Sequence, residues 1–233
     1  MWYPKYQKAI TLSYDDGIYQ DKRLVELLNR YGLKATFNIN TGLCDPSHDF
    51  IINGHTISHL SWNDMKTLYR GHEVAVHTLT HPHLTHLSDQ EVLDEINRDI
   101  NNIKNIFHIE PVGMAYPYGS YDDRIVNLIK ETKLRYARTV ESNHSTHLQE
   151  DLLRFRPTCH QHDPLIHHIV KDFLNNTSNH PQILYIWGHS YEGDVDHMWE
   201  DIEALFKKIA FQPGIYYGTN EDVLLPFSSI QIK

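Results

Sequence analysis

Short apolar runs that resemble β-strands alternate with amphipathic helical stretches along most of this chain. Residues 9–14 and 35–39 are strand-like, and Leu24, Leu27 and Leu28 recur between them at helical spacing. This alternation predicts a parallel α/β sheet, and a length of 233 residues favours a closed or nearly closed (β/α) barrel of seven or eight strands. No linker-like segment divides the chain, so we expect one domain spanning residues 1–233.

Polar residues follow the predicted strands at their carboxyl ends. Asp15 and Asp16 close the first strand, His77 follows a later one, and Gly188-His189 ends the most apolar one. In a parallel barrel these ends share one face, where active sites are built. Adjacent carboxylates repel each other unless a cation or a proton separates their roles, so we favour a metal-assisted active site. The alternative is a solvated Asp-Asp-Gly turn, which is the commoner explanation of so short a motif taken alone.

The chain has 18 histidines, and two pairs of them have the spacing His-x-x-x-His. Random placement gives about 1.4 such pairs, so the spacing alone is weak evidence. His77 and His81 begin at the end of a strand-like run, whereas His55 and His59 stand in loop-like sequence. We therefore expect His77 and His81 to bind a metal and the other pair to lie at the surface. Two imidazoles and one carboxylate leave a coordination position open, as in catalytic zinc sites.

Charge and composition argue against several classes of protein. The net charge of −9 and the lack of a basic run make a nucleic-acid partner unexpected. Neither a signal-like apolar segment nor a stretch of membrane-spanning length is visible, so we expect a cytoplasmic protein without a membrane partner, or a truncated secreted one. The two cysteines, Cys44 and Cys159, are too few to form a disulfide framework. They are also too few for a structural zinc site around residues 159–162, although Cys and His occur there.

Taken in order, these motifs resemble the polysaccharide deacetylase family, also known as the NodB homology domain or carbohydrate esterase family 4, in a divergent branch. The resemblance runs from about Ile10 to His189 and depends on five segments: residues 11–17, 34–37, 71–81, 116–119 and 184–189. Membership implies a distorted, NodB-like (β/α) barrel and a hydrolase active site.

The resemblance implies a role for each residue of the candidate site. Asp15 would be the general base that activates water, and His189 the general acid that protonates the leaving group. Asp16, His77 and His81 would bind a divalent metal, most often Zn²⁺, with Co²⁺, Mn²⁺ or Ni²⁺ as other candidates.

Further roles follow for residues around that centre. The backbone N–H of Tyr118 would face the oxyanion, and Trp187 would wall the acetyl pocket. The family's third motif usually begins with an arginine that holds the catalytic aspartate, but Ala115 fills that position here. Arg138 or Arg156 could supply the guanidinium instead.

The segment that supports the catalytic histidine in the family is not recognisable here. Glu192 and Asp163 are therefore two candidates for orienting His189.

Three functions remain open from the sequence. The first is a metal-dependent hydrolase that removes acetyl groups from an N-acetylated or O-acetylated carbohydrate. The second is an amide hydrolase of the same fold that acts on a small cytosolic ureide, formamide or acetylated amine. The third is a non-catalytic carbohydrate-binding protein, against which the complete acid and base set argues. The oligomeric state is left open.

Overall fold

The computed structural model describes residues 2–227, which form ten strands and eight α-helices. The strands are β1 (Lys8–Asp16), β2 (Ala35–Ile39), β3 (Phe50–Ile52), β4 (His55–Ile57), β5 (Glu73–Val76), β6 (Gly113–Ala115), β7 (Tyr136–Arg138), β8 (Cys159–His160), β9 (Gln182–Gly188) and β10 (Ile215–Tyr217). The helices are α1 (Asp21–Arg30), α2 (Trp62–Leu68), α3 (Asp89–Phe107), α4 (Asp123–Ile129), α5 (Ile166–Asn175), α6 (Glu192–Val195), α7 (Trp199–Ile209) and α8 (Asn220–Leu224).

The main sheet is parallel and has the strand order β7-β6-β5-β2-β1-β9-β8, with β10 paired to the first residues of β1. The segment between residues 155 and 160 closes the gap between its two edges. The Phe155 N–H donates to Ala137 O, the Thr139 N–H donates to Phe155 O, and β8 then pairs with β9. The predicted distorted (β/α) barrel is confirmed. Its extent as a single domain over residues 1–233 stays a prediction.

Residues of β1 alternate between two environments, which explains why this strand tolerates hydroxyl groups among its apolar residues. Leu12 and Tyr14 belong to the apolar core under the helices. Thr11 and Ser13 lie within hydrogen-bonding distance of Asn220, with Thr11 Oγ1 donating to Asn220 Oδ1 over 2.8 Å. The same face of the strand carries Asp15, so the alternation places this carboxyl in the polar interior.

A two-stranded hairpin, β3–β4, stands apart from the main sheet. The sequence predicted a loop here, and this prediction was wrong. Asn53 and Gly54 have φ values of 48° and 82°, which gives a two-residue turn of the kind that Asn-Gly favours. Strands of three residues carry too little periodicity to be recognised, although Asn53-Gly54 after the apolar residues 50–52 was an available signal.

Two further findings concern whole segments. Residues 141–162 include β8 and the closing segment described above. Among residues 2–227, no helix has both the length and the apolar character that spanning a membrane requires.

Candidate active site

Three side chains with metal-binding atoms converge at the carboxyl ends of β1 and β5. Oδ1 of Asp16 lies 3.7 Å from Nε2 of His77 and 3.7 Å from Nε2 of His81, and the two Nε2 atoms are 3.1 Å apart. Asp16 and His77 are buried, and His81 is partly buried. One carboxylate oxygen and two imidazole nitrogens at these separations fit the donor set of a catalytic zinc site.

Backbone groups fix the orientation of His77. Its Nδ1 lies 2.8 Å from the carbonyl oxygen of Ala115, an acceptor, so Nδ1 is the donor and Nε2 is the ring nitrogen that faces Asp16. Its backbone N–H donates to Oδ2 of Asp99 on α3 over 3.1 Å. Burial and the neighbouring His77 lower the pKa of His81 to about 4, which favours the neutral, metal-binding imidazole.

Both oxygens of the Asp15 carboxylate accept hydrogen bonds. Asn38 Nδ2 donates to Oδ1 over 2.8 Å, and Arg138 Nη2 donates to Oδ2. Arg138 is fully buried, with its guanidinium 4.3 Å from the Trp187 ring centre. Arg138 is the direct strand partner of Ala115, so the guanidinium comes from the neighbouring strand at the same register.

Electrostatics keep Asp15 ionised despite its burial. Burial alone would raise its pKa, but the charges of Arg138, His77 and His189 hold the pKa well below its usual range. Asp15 is therefore a carboxylate over the whole neutral range, as an acceptor of protons must be.

His189 lies near the same Oδ2 oxygen of Asp15 and is held by Glu192. Its Nε2 is 4.0 Å from Oδ2 of Asp15, and its Nδ1 is 2.9 Å from Oε1 of Glu192. Burial alone would lower the pKa of His189, but the hydrogen bond to Glu192 and the charges of Asp16 and Asp15 raise it to about 9. His189 is therefore protonated at neutral pH, as a general acid must be.

Glu192 is in turn surrounded by donors from the end of β8 and the two residues after it. Gln161 Nε2 donates to its Oε2 over 2.5 Å, and the Nε2 atoms of His160 and His162 lie 3.2 and 3.3 Å from its oxygens. The His162 N–H donates to Nδ1 of His160, so Nε2 of His160 carries the proton and donates to Glu192. The sequence pattern of residues 159–162 had suggested only a weak metal motif; their contact with Glu192 depends on tertiary structure.

A cavity of about 610 Å³ opens above these groups. Seven of the predicted site residues line it: Asp15, Asp16, His77, His81, Tyr118, Trp187 and His189. Tyr118 has a left-handed φ of 56°, and its exposed ring stacks on His83 with 4.1 Å between ring centres. Trp187 is only 8% exposed, so it serves both the core and the cavity wall.

Some predicted residues lie elsewhere. His59 was expected at the surface, but it is buried and lines the cavity, because its backbone pairs with Ile18 and the ring of Phe50 lies 5.5 Å from its own; His55 is exposed. Arg156 pairs with Glu141 through Nε at 3.1 Å and is not near Asp15. Asp163 pairs with His144 at 2.7 Å, so Glu192 is the residue that contacts His189.

Comparison with known proteins adds independent information. A family model described as polysaccharide deacetylase matches residues 3–137. The chain is 30% identical over 116 residues to Chitin deacetylase 1 of Cryptococcus neoformans, covering 49% of this chain and 22% of that protein. It is 29% identical over 126 residues to Peptidoglycan-N-acetylmuramic acid deacetylase PdaC of Bacillus subtilis, covering 53% and 24%. The chain thus spans about a quarter of the length of these relatives.

Solved structures resemble the barrel as a whole. One is a family 4 carbohydrate esterase from Streptomyces lividans in complex with acetate, with a TM-score of 0.59 and 18% identity. The match covers 91% of this chain and 93% of that one. At this identity the likeness is evidence for the fold alone.

Proposed function

The chain belongs to the polysaccharide deacetylase family, and from this premise we propose that it is a metal-dependent hydrolase that removes the acetyl group of an N-acetylated or O-acetylated carbohydrate. The observation that carries this proposal is a carboxylate and a protonated imidazole that lie close together beside the metal-binding atoms. Asp15 is ionised, His189 is protonated, and 4.0 Å separates Oδ2 of one from Nε2 of the other.

Asp15 is the proposed general base. Its Oδ2 lies 3.9 Å from Nε2 of His77, so a water molecule near the metal-binding atoms is within its reach. It accepts a proton from that water as the water oxygen attacks the acetyl carbonyl carbon. Arg138 orients Asp15 and keeps it ionised before the proton transfer.

Asp16, His77 and His81 would hold the cation, with Zn²⁺ as the first candidate and Co²⁺, Mn²⁺ or Ni²⁺ as others. When bound, the cation would lower the pKa of water and polarise the acetyl carbonyl. The backbone N–H of Tyr118 is the proposed donor to the negative charge that develops on the carbonyl oxygen.

His189 is the proposed general acid. It gives its Nε2 proton to the leaving nitrogen or oxygen and becomes a neutral imidazole, whose Nδ1–H remains hydrogen-bonded to Glu192. Glu192 therefore acts through His189 as a positioning residue.

The test is acetate release from N-acetylglucosamine oligomers and from peptidoglycan fragments, with and without a chelator. We expect release that stops with chelator and returns with Zn²⁺. Release that is insensitive to the chelator would remove the metal from the mechanism.

A small amide substrate is the second candidate, because a cavity of about 610 Å³ is large enough to enclose a small molecule. Parallel assays on small acetylated amines and on sugar polymers separate the two candidates.

A non-catalytic role would be favoured if Asp15→Asn left turnover unchanged. The cytoplasmic location expected from the sequence stays a prediction.

A further inference from the structure

The hairpin β3–β4 forms one wall of the cavity and turns only one face towards it. Phe50 and Ile52 line the cavity, whereas Ile51 between them is 74% exposed. This alternation follows from the strand period of two residues. The hairpin therefore presents an apolar surface to whatever enters the site.

This apolar wall continues directly to the proposed general acid. The ring of Phe50 meets the ring of Tyr191 edge-on at 6.3 Å, and Tyr191 stacks on His189 at 4.9 Å. Phe50, Ile52 and Tyr191 also pack on one apolar cluster that includes Ile18. The wall is thus fixed against the body of the protein, on the side of the cavity where the leaving group would be protonated.

The rest of the cavity offers few unoccupied polar side chains near this wall. Oγ1 of Thr80 is bound to Glu95, and Nδ2 of Asn40 is bound to the carbonyl of His77. Nδ1 of His59 and Oδ1 of Asn40 have no hydrogen-bond partner among the described residues, but both atoms are buried. A hydroxyl group placed against Phe50 and Ile52 would lose its water without gaining a partner, whereas an apolar group would be stabilised there.

We propose that Phe50 and Ile52 form an apolar subsite for the group next to the amine that carries the acetyl. The substrate is then a short N-acetylated sugar with an aromatic or branched aliphatic substituent, rather than an internal unit of a fully hydroxylated polysaccharide. The assignment of this wall to the leaving-group side rests on the proposed function, because it depends on the role of His189.

Two pairs of compounds that differ only in the apolar group test this subsite. Phenyl and methyl β-D-glucosaminide carry no acetyl group, so calorimetric binding to the Zn²⁺-supplemented protein measures the subsite without turnover. Their N-acetylated counterparts measure acetate release. We expect the phenyl compound to bind about tenfold more tightly, which corresponds to about 1.4 kcal/mol.

Two variants locate the effect. Ile52→Thr keeps a β-branched side chain and should reduce the phenyl preference to threefold or less. Ile51→Thr is the matched control on the outer face of the same strand, and it should keep the full preference. Equal binding of the two compounds, undetectable binding of both, or a preference that survives Ile52→Thr would overturn the subsite. A phenyl preference without acetate release from either N-acetylated compound would support the subsite and overturn the proposed function.

Discussion

Nη2 of Arg138 donates a hydrogen bond to Oδ2 of Asp15, joining the carboxyl end of β7 to that of β1. Arg138 on β7 is the strand partner of Ala115 on β6, the position where the family usually has its arginine. The positive charge beside Asp15 therefore comes from β7 instead of β6. The substitution at Ala115 therefore leaves the interior carboxylate with a cationic partner.

Replacing Arg138 by Gln should lower kcat/KM at pH 7 by at least about 100-fold, because Asp15 loses the charge that keeps it ionised. The pKa of Asp15 rises when this cation is lost, so the acidic limb of the pH–rate profile should move to higher pH. Arg156→Gln is the matched control at the surface and should leave the profile unchanged. Identical profiles for R138Q and the native protein would contradict this role.

The Glu192→Gln variant should move the alkaline limb of the pH–rate profile to lower pH. The negative charge of Glu192 helps to raise the pKa of His189 to about 9, so its removal lowers that pKa. His189 then loses its proton at lower pH, and the alkaline limb should move down while kcat falls by about tenfold or more. Asp163→Asn, at the other residue considered for this role, should change neither quantity; a pH shift in D163N alone would assign the role to Asp163.

Metal binding should depend on His81 and not on His55, although both stand in His-x-x-x-His pairs. His81→Gln removes one of three donor atoms, and we expect Zn²⁺ affinity to fall by more than the 10–100-fold typical of residues that only support a ligand. His55→Gln changes an exposed side chain and should bind Zn²⁺ as the native protein does. Competition with a chromogenic chelator measures both affinities, and equal losses in the two variants would argue against the proposed site.

A tight contact between two strands gives a prediction on stability. A Cβ added to Gly113 on β6 would lie 1.8 Å from Cζ of Tyr136, whose hydroxyl donates to Glu73 over 2.7 Å. Gly113→Ala should therefore lower the free energy of unfolding by at least about 2 kcal/mol, because the buried ring has to move.

A double-mutant cycle measured by urea unfolding checks this explanation. In a Tyr136→Ala background the obstructing ring is absent, so Gly113→Ala should cost much less. The same cost in both backgrounds would place its cause elsewhere.

The sequence predicted the barrel and the residues that meet at its rim because strand ends in a parallel sheet necessarily converge. It could not decide between Arg138 and Arg156, since that choice depends on the pairing of Ala115 with its neighbour on β7. It also misjudged His59, because the hairpin that contacts this side chain through Phe50 has strands of only three residues. The contacts of Glu192 with residues 160–162 likewise follow from tertiary packing rather than from local pattern.

The segment that closes the barrel between β7 and β9 runs directly into His160 and Gln161, which hold Glu192. One stretch of chain thus contributes both to the barrel wall and to the support of the side chain that contacts His189. A substitution that displaces this stretch should therefore disturb the closure of the barrel and the orientation of His189 together.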